Sequence, residues 1–402
     1  MERPLRWDNS VTERNLETIN PTNPNALGNN DIIHFSMNQA DALVHPEKAF
    51  FMVWGRLTKL GADRKTEVKT EKTSLVSGGI LHAFSRAELR VNNQPVEQVI
   101  DVGLTCLAKI LTTYNDWMVR HLQLMGWGEK IELEEDGSFN GLIIPFKVIF
   151  ALGDDFVQVL VNSKVEILLT RARTDDNVVM CSETEDYIFK LTKIQFKLDF
   201  IGVDDVHRLK LLRIIEDDKA LPVGFRAWEL YQYPEMPAST RHTWTIKTST
   251  QVEKPRYVIV FFQKKRAGDR LKNASEMDHC NLRNITLKLN NMRYPREDLH
   301  QNFEKNDYSL LYHMYCEFTK NYSGNGYFCP VLDMKTYKTK APLFVIDCSN
   351  QKENLKFGAV DVRLDFESNT AFPAGTTVTC IIIRDSVFQY HPLTGALHKY
   401  EG

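Results

Sequence analysis

Short apolar runs with a period of two dominate the chain. Ile194-Gln195-Phe196-Lys197-Leu198-Asp199-Phe200 and Ile285-Thr286-Leu287-Lys288-Leu289-Asn290 put apolar side chains on one face and Gln, Lys, Thr or Asn on the other. Such strands need a core on one side and solvent or a partner on the other. Runs rich in Val, Ile, Phe and Thr at 49–57, 88–91, 142–152, 164–170, 187–200, 257–262, 284–289, 343–347, 359–366 and 376–383 extend the same reading along the chain. Helical spacing is confined to 104–124 and 307–320, and clusters such as Asn92-Asn93-Gln94-Pro95 and Gly324-Asn325-Gly326 supply turns. Residues 1–30 are polar and contain Asn20-Pro21-Thr22-Asn23-Pro24, which predicts an extended arm.

The pattern repeats. Phe84 to Asn93 aligns with Leu282 to Asn291 at a shift of 198, Pro145 to Ile149 with Pro342 to Ile346 at 197, and Val165 to Leu169 with Val360 to Leu364 at 195. A competing register lays Leu191 to Asp199 on Leu282 to Asn290, but the long shift recurs in separate segments. The prediction is an all-β chain of two tandem jelly rolls, each an eight-stranded antiparallel sandwich, with a few short helices in the connections. The arm covers 1–30, the first roll 31–215 and the second 216–402, with the Pro-rich stretch Tyr231 to Pro237 read as the crossing between rolls.

Composition narrows the function. With 402 residues, 43% of them hydrophobic, the chain can bury two or three domain cores. Fifty Lys+Arg against 52 Asp+Glu give a net charge of -2, which argues against a protein that coats nucleic acid. No apolar run is long enough for a membrane helix, and the sequence from Met1 to Asp8 lacks the apolar segment of a signal peptide, so an intracellular protein is expected. Seven cysteines without a Cys-x-x-Cys pair read as reduced thiols.

Catalytic signatures are missing from the sequence. It holds no nucleophile elbow, Walker loop, dinucleotide fingerprint or His-Glu-x-x-His. His279, Cys280, His313 and Cys316 are the nearest approach to a metal set, but adjacent residues on a strand point to opposite faces, and packed thiols are the simpler reading. No catalytic residue, metal or cofactor is assigned. Tyr312, Tyr315, Tyr322 and Tyr327 are expected at subunit contacts, because tyrosine is favoured at interfaces. Lys264, Lys265, Arg266, Arg270 and Lys272 form the densest basic stretch, a candidate contact patch or a charged loop closing two strands.

Several segments together resemble one family. They are Asn30 to Phe35 through Pro46, Phe50 to Leu57, Phe84 to Pro95, Phe150-Ala151-Leu152-Gly153-Asp154-Asp155-Phe156, Val161 to Asn177, Asp278 to Ile285, Tyr294 to Leu299 and Pro342 to Ser349. The sequence is similar there to the double jelly-roll major capsid proteins of polinton-like and adinto-like DNA viruses, especially to double jelly-roll proteins carried in invertebrate genomes. The resemblance implies a structural protein without enzymatic activity: a homotrimer of six rolls that tiles an icosahedral shell, with a single jelly-roll penton protein as partner and the virion as its location. It implies no sequence-specific nucleic-acid contact. A host-encoded descendant that forms trimers or particles for another purpose is the alternative. A carbohydrate-binding or cupin-like jelly roll is the rival from another class, and clustered His and carboxylate ligands would mark it.

Overall fold

A computed structural model describes residues 11–400, apart from 39–42, 45, 62–65, 129, 157, 159–161, 184–185, 247–253, 291, 325–328 and 351–360. Among the described residues, sixteen strands frame four main sheets, to which the short strands Leu43–Val44, Glu67–Lys69 and Leu397–Lys399 add. The first eight are β1 (Val11–Ile19), β2 (Ile32–Asn38), β3 (Phe50–Leu60), β4 (Phe84–Val91), β5 (Gln94–Ile100), β6 (Ser138–Pro145), β7 (Lys164–Arg171) and β8 (Ile188–Val203). The next eight are β9 (Leu221–Met236), β10 (Arg241–Ile246), β11 (Pro255–Lys264), β12 (Leu282–Leu289), β13 (Met292–Tyr294), β14 (Phe344–Asp347), β15 (Val362–Ser368) and β16 (Thr376–Tyr390).

Adding eight to each strand number carries one half onto the other. The first half pairs β1-β8-β3-β6 and β2-β7-β4-β5, and the second pairs β9-β16-β11-β14 and β10-β15-β12-β13, all antiparallel. Two four-stranded sheets facing each other in this order are a jelly roll. Each core forms from the inward residues of both sheets, with Phe35, Phe51, Phe146 and Phe196 in the first roll and Phe262, Phe344, Phe366 and Phe372 in the second.

Between the fifth and sixth strands each roll carries a helix, α1 (Val102–Thr113) in the first and α3 (Ser309–Ser323) in the second. A third, α2 (Asp205–Glu216), joins the rolls. Its N-cap is Asp204, whose side chain accepts from His207 N, and none of its residues is buried.

The strand register corrects four expectations. Val165 lies opposite Val91 and Val362 opposite Leu289, so Val165 corresponds to Val362, at a shift of 197. The sequence match to Val360 was two residues off, a slip that a period-two pattern cannot reveal because it preserves the faces. Tyr231 to Met236 is not the crossing between rolls but the end of β9. Pro234 is tolerated there because β9 is an edge strand whose pairing breaks between Tyr233 and Met236. The crossing is α2. The apolar run 142–152 stops being a strand at Pro145 and continues as two helical turns, Phe146–Ile149 and Leu152–Asp155. Residues 11–19 of the expected arm are β1, paired with β8 from Val11 opposite Val203 to Ile19 opposite Phe196.

Candidate assembly interface

The two rolls stand side by side, and the seam between them is polar as well as apolar. Arg226 of β9 is at its centre. Its backbone N donates to Asp155 Oδ2 at 2.7 Å, its guanidinium embraces both oxygens of the same carboxylate, and Nη1 donates to the Tyr322 carbonyl at 2.7 Å. The guanidinium carbon lies 3.5 Å from the Tyr322 ring centroid, and Trp228 Nε1 donates to the Tyr322 hydroxyl at 3.3 Å. A half-buried bidentate pair of this kind fixes position as well as adding energy.

Both ends of the rolls are tied too. At the end reached by the β3–β4, β7–β8 and β11–β12 connections, His82 Nε2 is 3.1 Å from Ser275 Oγ, which donates to the Ser77 carbonyl at 3.0 Å. Gly268 N donates to Asn177 Oδ1, and Cys181 N to the Arg270 carbonyl. Burial holds the His82 pKa down at about 4. At the other end Asn162 Nδ2 donates to the Pro392 carbonyl, the Tyr390 hydroxyl to the Asn162 carbonyl, and Asn92 Nδ2 to the Gly395 carbonyl.

Two of the tyrosines singled out from the sequence lie in the interior of the chain. Tyr315 is fully buried, its hydroxyl donating to the Leu111 carbonyl of α1 at 2.7 Å and accepting from Leu332 N. Tyr322 is buried under Arg226. Both are thus buried within the chain, Tyr315 reaching across to the first roll and Tyr322 packing within the second. Tyr312 is partly buried and donates to the Leu332 carbonyl at 2.9 Å, while Tyr327 lies outside the described residues.

The basic stretch is mostly matched by nearby acids. Arg266 pairs with Asp278 at 2.9 Å and Glu276 at 3.3 Å, and Lys272 with Asp269 at 3.1 Å. Arg266 lies beside the Asp278 carboxyl, which is held below its usual range despite burial. Lys264 gives its backbone N to Asp278, Lys265 is exposed, and Arg270 lies 5.7 Å from the Tyr187 ring. These residues form the loop that latches onto the first roll. His279 stacks on Phe303 at 4.7 Å and Cys280 is buried.

What the sequence did not disclose is an asymmetry between equivalent parts. β1 and β9 start at the same place in their sheets, Val11 opposite Val203 and Leu221 opposite Tyr390. In β9 the residues Val223, Phe225, Ala227 and Trp228 are buried, and its outer edge is covered by β5, α1 and the turn Leu152–Asp155 of the first roll. In β1 every residue from Thr12 to Thr18 is exposed, Leu16 by 56%. The helices differ likewise: all twelve residues of α1 are buried, whereas α3 exposes Ser309, Leu310, His313, Lys320 and Asn321. Arg226 looks in the sequence like a stray charge between Phe225 and Ala227, and Asp155 like part of a turn. Only the packing of one roll on the other joins them.

Comparison with known proteins agrees with this architecture. The chain matches solved structures over nearly its whole length. One is the quasi-atomic model of the PBCV-1 virus capsid (10% identity, 99% of this chain and 98% of that one, TM-score 0.65). A second is PBCV-1 VP54 fitted into a reconstruction of the virophage Sputnik (11%, 100% and 99%, 0.63), and a third the mavirus major capsid protein (10%, 100% and 92%, 0.58). At such identities the likeness is one of fold. No curated protein matches the sequence. The family model of the double jelly roll-like domain matches residues 76–388, and with the doubled eight-strand order this places the chain in the double jelly roll-like domain family.

Proposed function

We propose that the chain is a capsid building block that closes into a homotrimer by repeating, between copies, the seam that already joins its own rolls. The observation that carries this is the bare β1 beside the covered β9. Within the chain the first roll covers the leading strand of the second, a head-to-tail contact between like units. Such a contact leaves one unused half on each side: the exposed edge of β1 and the outer face of the second roll, where α3 is open to solvent. Head-to-tail contacts make a ring when the rotation closes. Three chains supply six rolls, and a six-rolled block tiles a shell. The balanced charge, -2 over 402 residues, suits a wall rather than a nucleic-acid sleeve. In this reading the chain resides in the virion, acts without catalysis, and leaves five-fold positions to a single jelly-roll partner.

Mass photometry of the purified full-length protein tests the proposal. A species at three times 46.5 kDa that persists on dilution is the expected result. Monomers alone at micromolar concentration across salt and pH would reject it.

A further inference from the structure

The first roll encloses a lysine against a carboxyl group. Lys109 stands on α1 and is 2% exposed. Its Nζ donates to the Lys147 carbonyl at 2.6 Å and lies 3.5 Å from Asp154 Oδ2. Asp154 belongs to the turn Leu152–Asp155, and Glu97 fixes the start of that turn by accepting from Ala151 N at 2.7 Å and Leu152 N at 3.0 Å. Glu97 is itself buried, and burial lifts its pKa to about 7 against the pull of those two N–H groups and of Lys109. Just past α1, the Tyr114 hydroxyl is buried without a hydrogen-bond partner, and Asp154 is among the charges around it. A buried hydroxyl left idle is costly unless a partner appears at some stage.

We propose that Lys109 and Asp154 join in an isopeptide bond within the folded chain. The Nζ lone pair attacks Cγ of the neutral Asp154 carboxylic acid and the Nζ–Cγ bond forms. The bond from Cγ to its hydroxyl oxygen then breaks, and one Nζ hydrogen departs with that hydroxyl as water. No oxidant or outside reactant enters. Glu97 receives the Nζ proton and returns it to the departing hydroxyl, while the Tyr114 hydroxyl donates to the oxygen that carries charge in the tetrahedral intermediate. Enclosure of Lys109 holds its amine near contact with the Asp154 carboxyl group. The bond would tie α1 to the turn that carries Asp155, the residue clasping Arg226.

The mass of the intact wild-type chain under denaturing conditions is the first test. The expected mass is one water below that of the sequence, with a branched tryptic peptide joining the Lys109 segment to the Asp154 segment. Lys109→Met is expected at full mass. A wild-type chain still at full mass after days at neutral pH overturns the proposal, as does a dehydrated mass that persists in Lys109→Met, which would mark a cyclised aspartate elsewhere. Tyr114→Phe and Glu97→Gln are each expected to slow the mass loss about 100-fold. Wild-type rates in both would overturn the roles given to those side chains.

Discussion

Strands β1 and β9 hold the same place in their rolls and meet different surroundings. The buried face of β9 is apolar and its edge is covered by the first roll, with Arg226 clasping Asp155 across the boundary. The corresponding stretch of β1 reads Val-Thr-Glu-Arg-Asn-Leu-Glu-Thr-Ile and is exposed from Thr12 to Thr18. Both rolls share one strand order, yet only the leading strand of the second is covered by the chain's own other roll. The lesson is that composition followed burial. The strand that lies against its own chain is apolar on its buried face, and the one left open carries Glu, Arg, Asn and Thr around a single exposed Leu16.

Breaking the covered seam should cost most. Arg226→Ala leaves the mostly buried Asp155 carboxylate unpaired, and a loss of about 3–5 kcal/mol in unfolding free energy is expected from urea titration. A change below about 1 kcal/mol would mean that the rolls are held by their apolar contacts alone.

Acidity probes the same seam with two opposed groups. The folded-state pKa of Glu97 is raised to about 7, so the folded chain binds the extra proton and stability falls as pH rises from about 4.5 to about 7. The folded-state pKa of His82 is lowered to about 4, so the unfolded chain binds the extra proton and stability is lost as pH falls from about 6.5 to about 4. Each slope is about 1.4 kcal/mol per pH unit, and between pH 4.5 and 6.5 they oppose each other. Glu97→Gln is therefore expected to turn a nearly level melting temperature over that range into one that drops toward acid. A curve parallel to wild type would show that Glu97 does not hold a proton in the folded chain.

The open side gives a smaller and different response. Leu16→Asp should weaken trimers about tenfold in Kd for each contact, about 1.4 kcal/mol, without shifting subunit melting. Mass photometry against concentration reads the first and calorimetry the second; equal trimers in both proteins would place the contact elsewhere. Tyr315→Phe should do the reverse. Losing the hydroxyl that bridges Leu111 and Leu332 costs about 1 kcal/mol of subunit stability and leaves trimer dissociation unchanged.

The sandwich was legible in the sequence wherever a strand is buried on one face only. Ile285 to Leu289 and Ile194 to Phe200 announce themselves by alternation, and the repeat emerges from β4 against β12 because both end in an Asn turn. β1 was hidden because a strand exposed on both faces has no alternation to show, and β9 because Pro234 reads as a break. α2 carries a clear start, Asp204-Asp205, but its apolar residues are spread around the helix, so no single stripe marks it. The candidate interface was the least legible part. Tyr315 and Tyr322 stood out as interface-type side chains and are buried within the chain, since sequence gives the affinity of a side chain for an interface but not which two surfaces meet there.

The linker α2 also bears on how a shell could be populated from dilute protein. In the proposed six-rolled ring, joining two rolls by one twelve-residue helix would make half of the seams intramolecular, present at a fixed effective concentration whatever the cell supplies. Six separate rolls would have to find one another by successive bimolecular encounters. Tethered in pairs they need only three partners, so the threshold for ring closure falls to concentrations at which free rolls would stay dispersed.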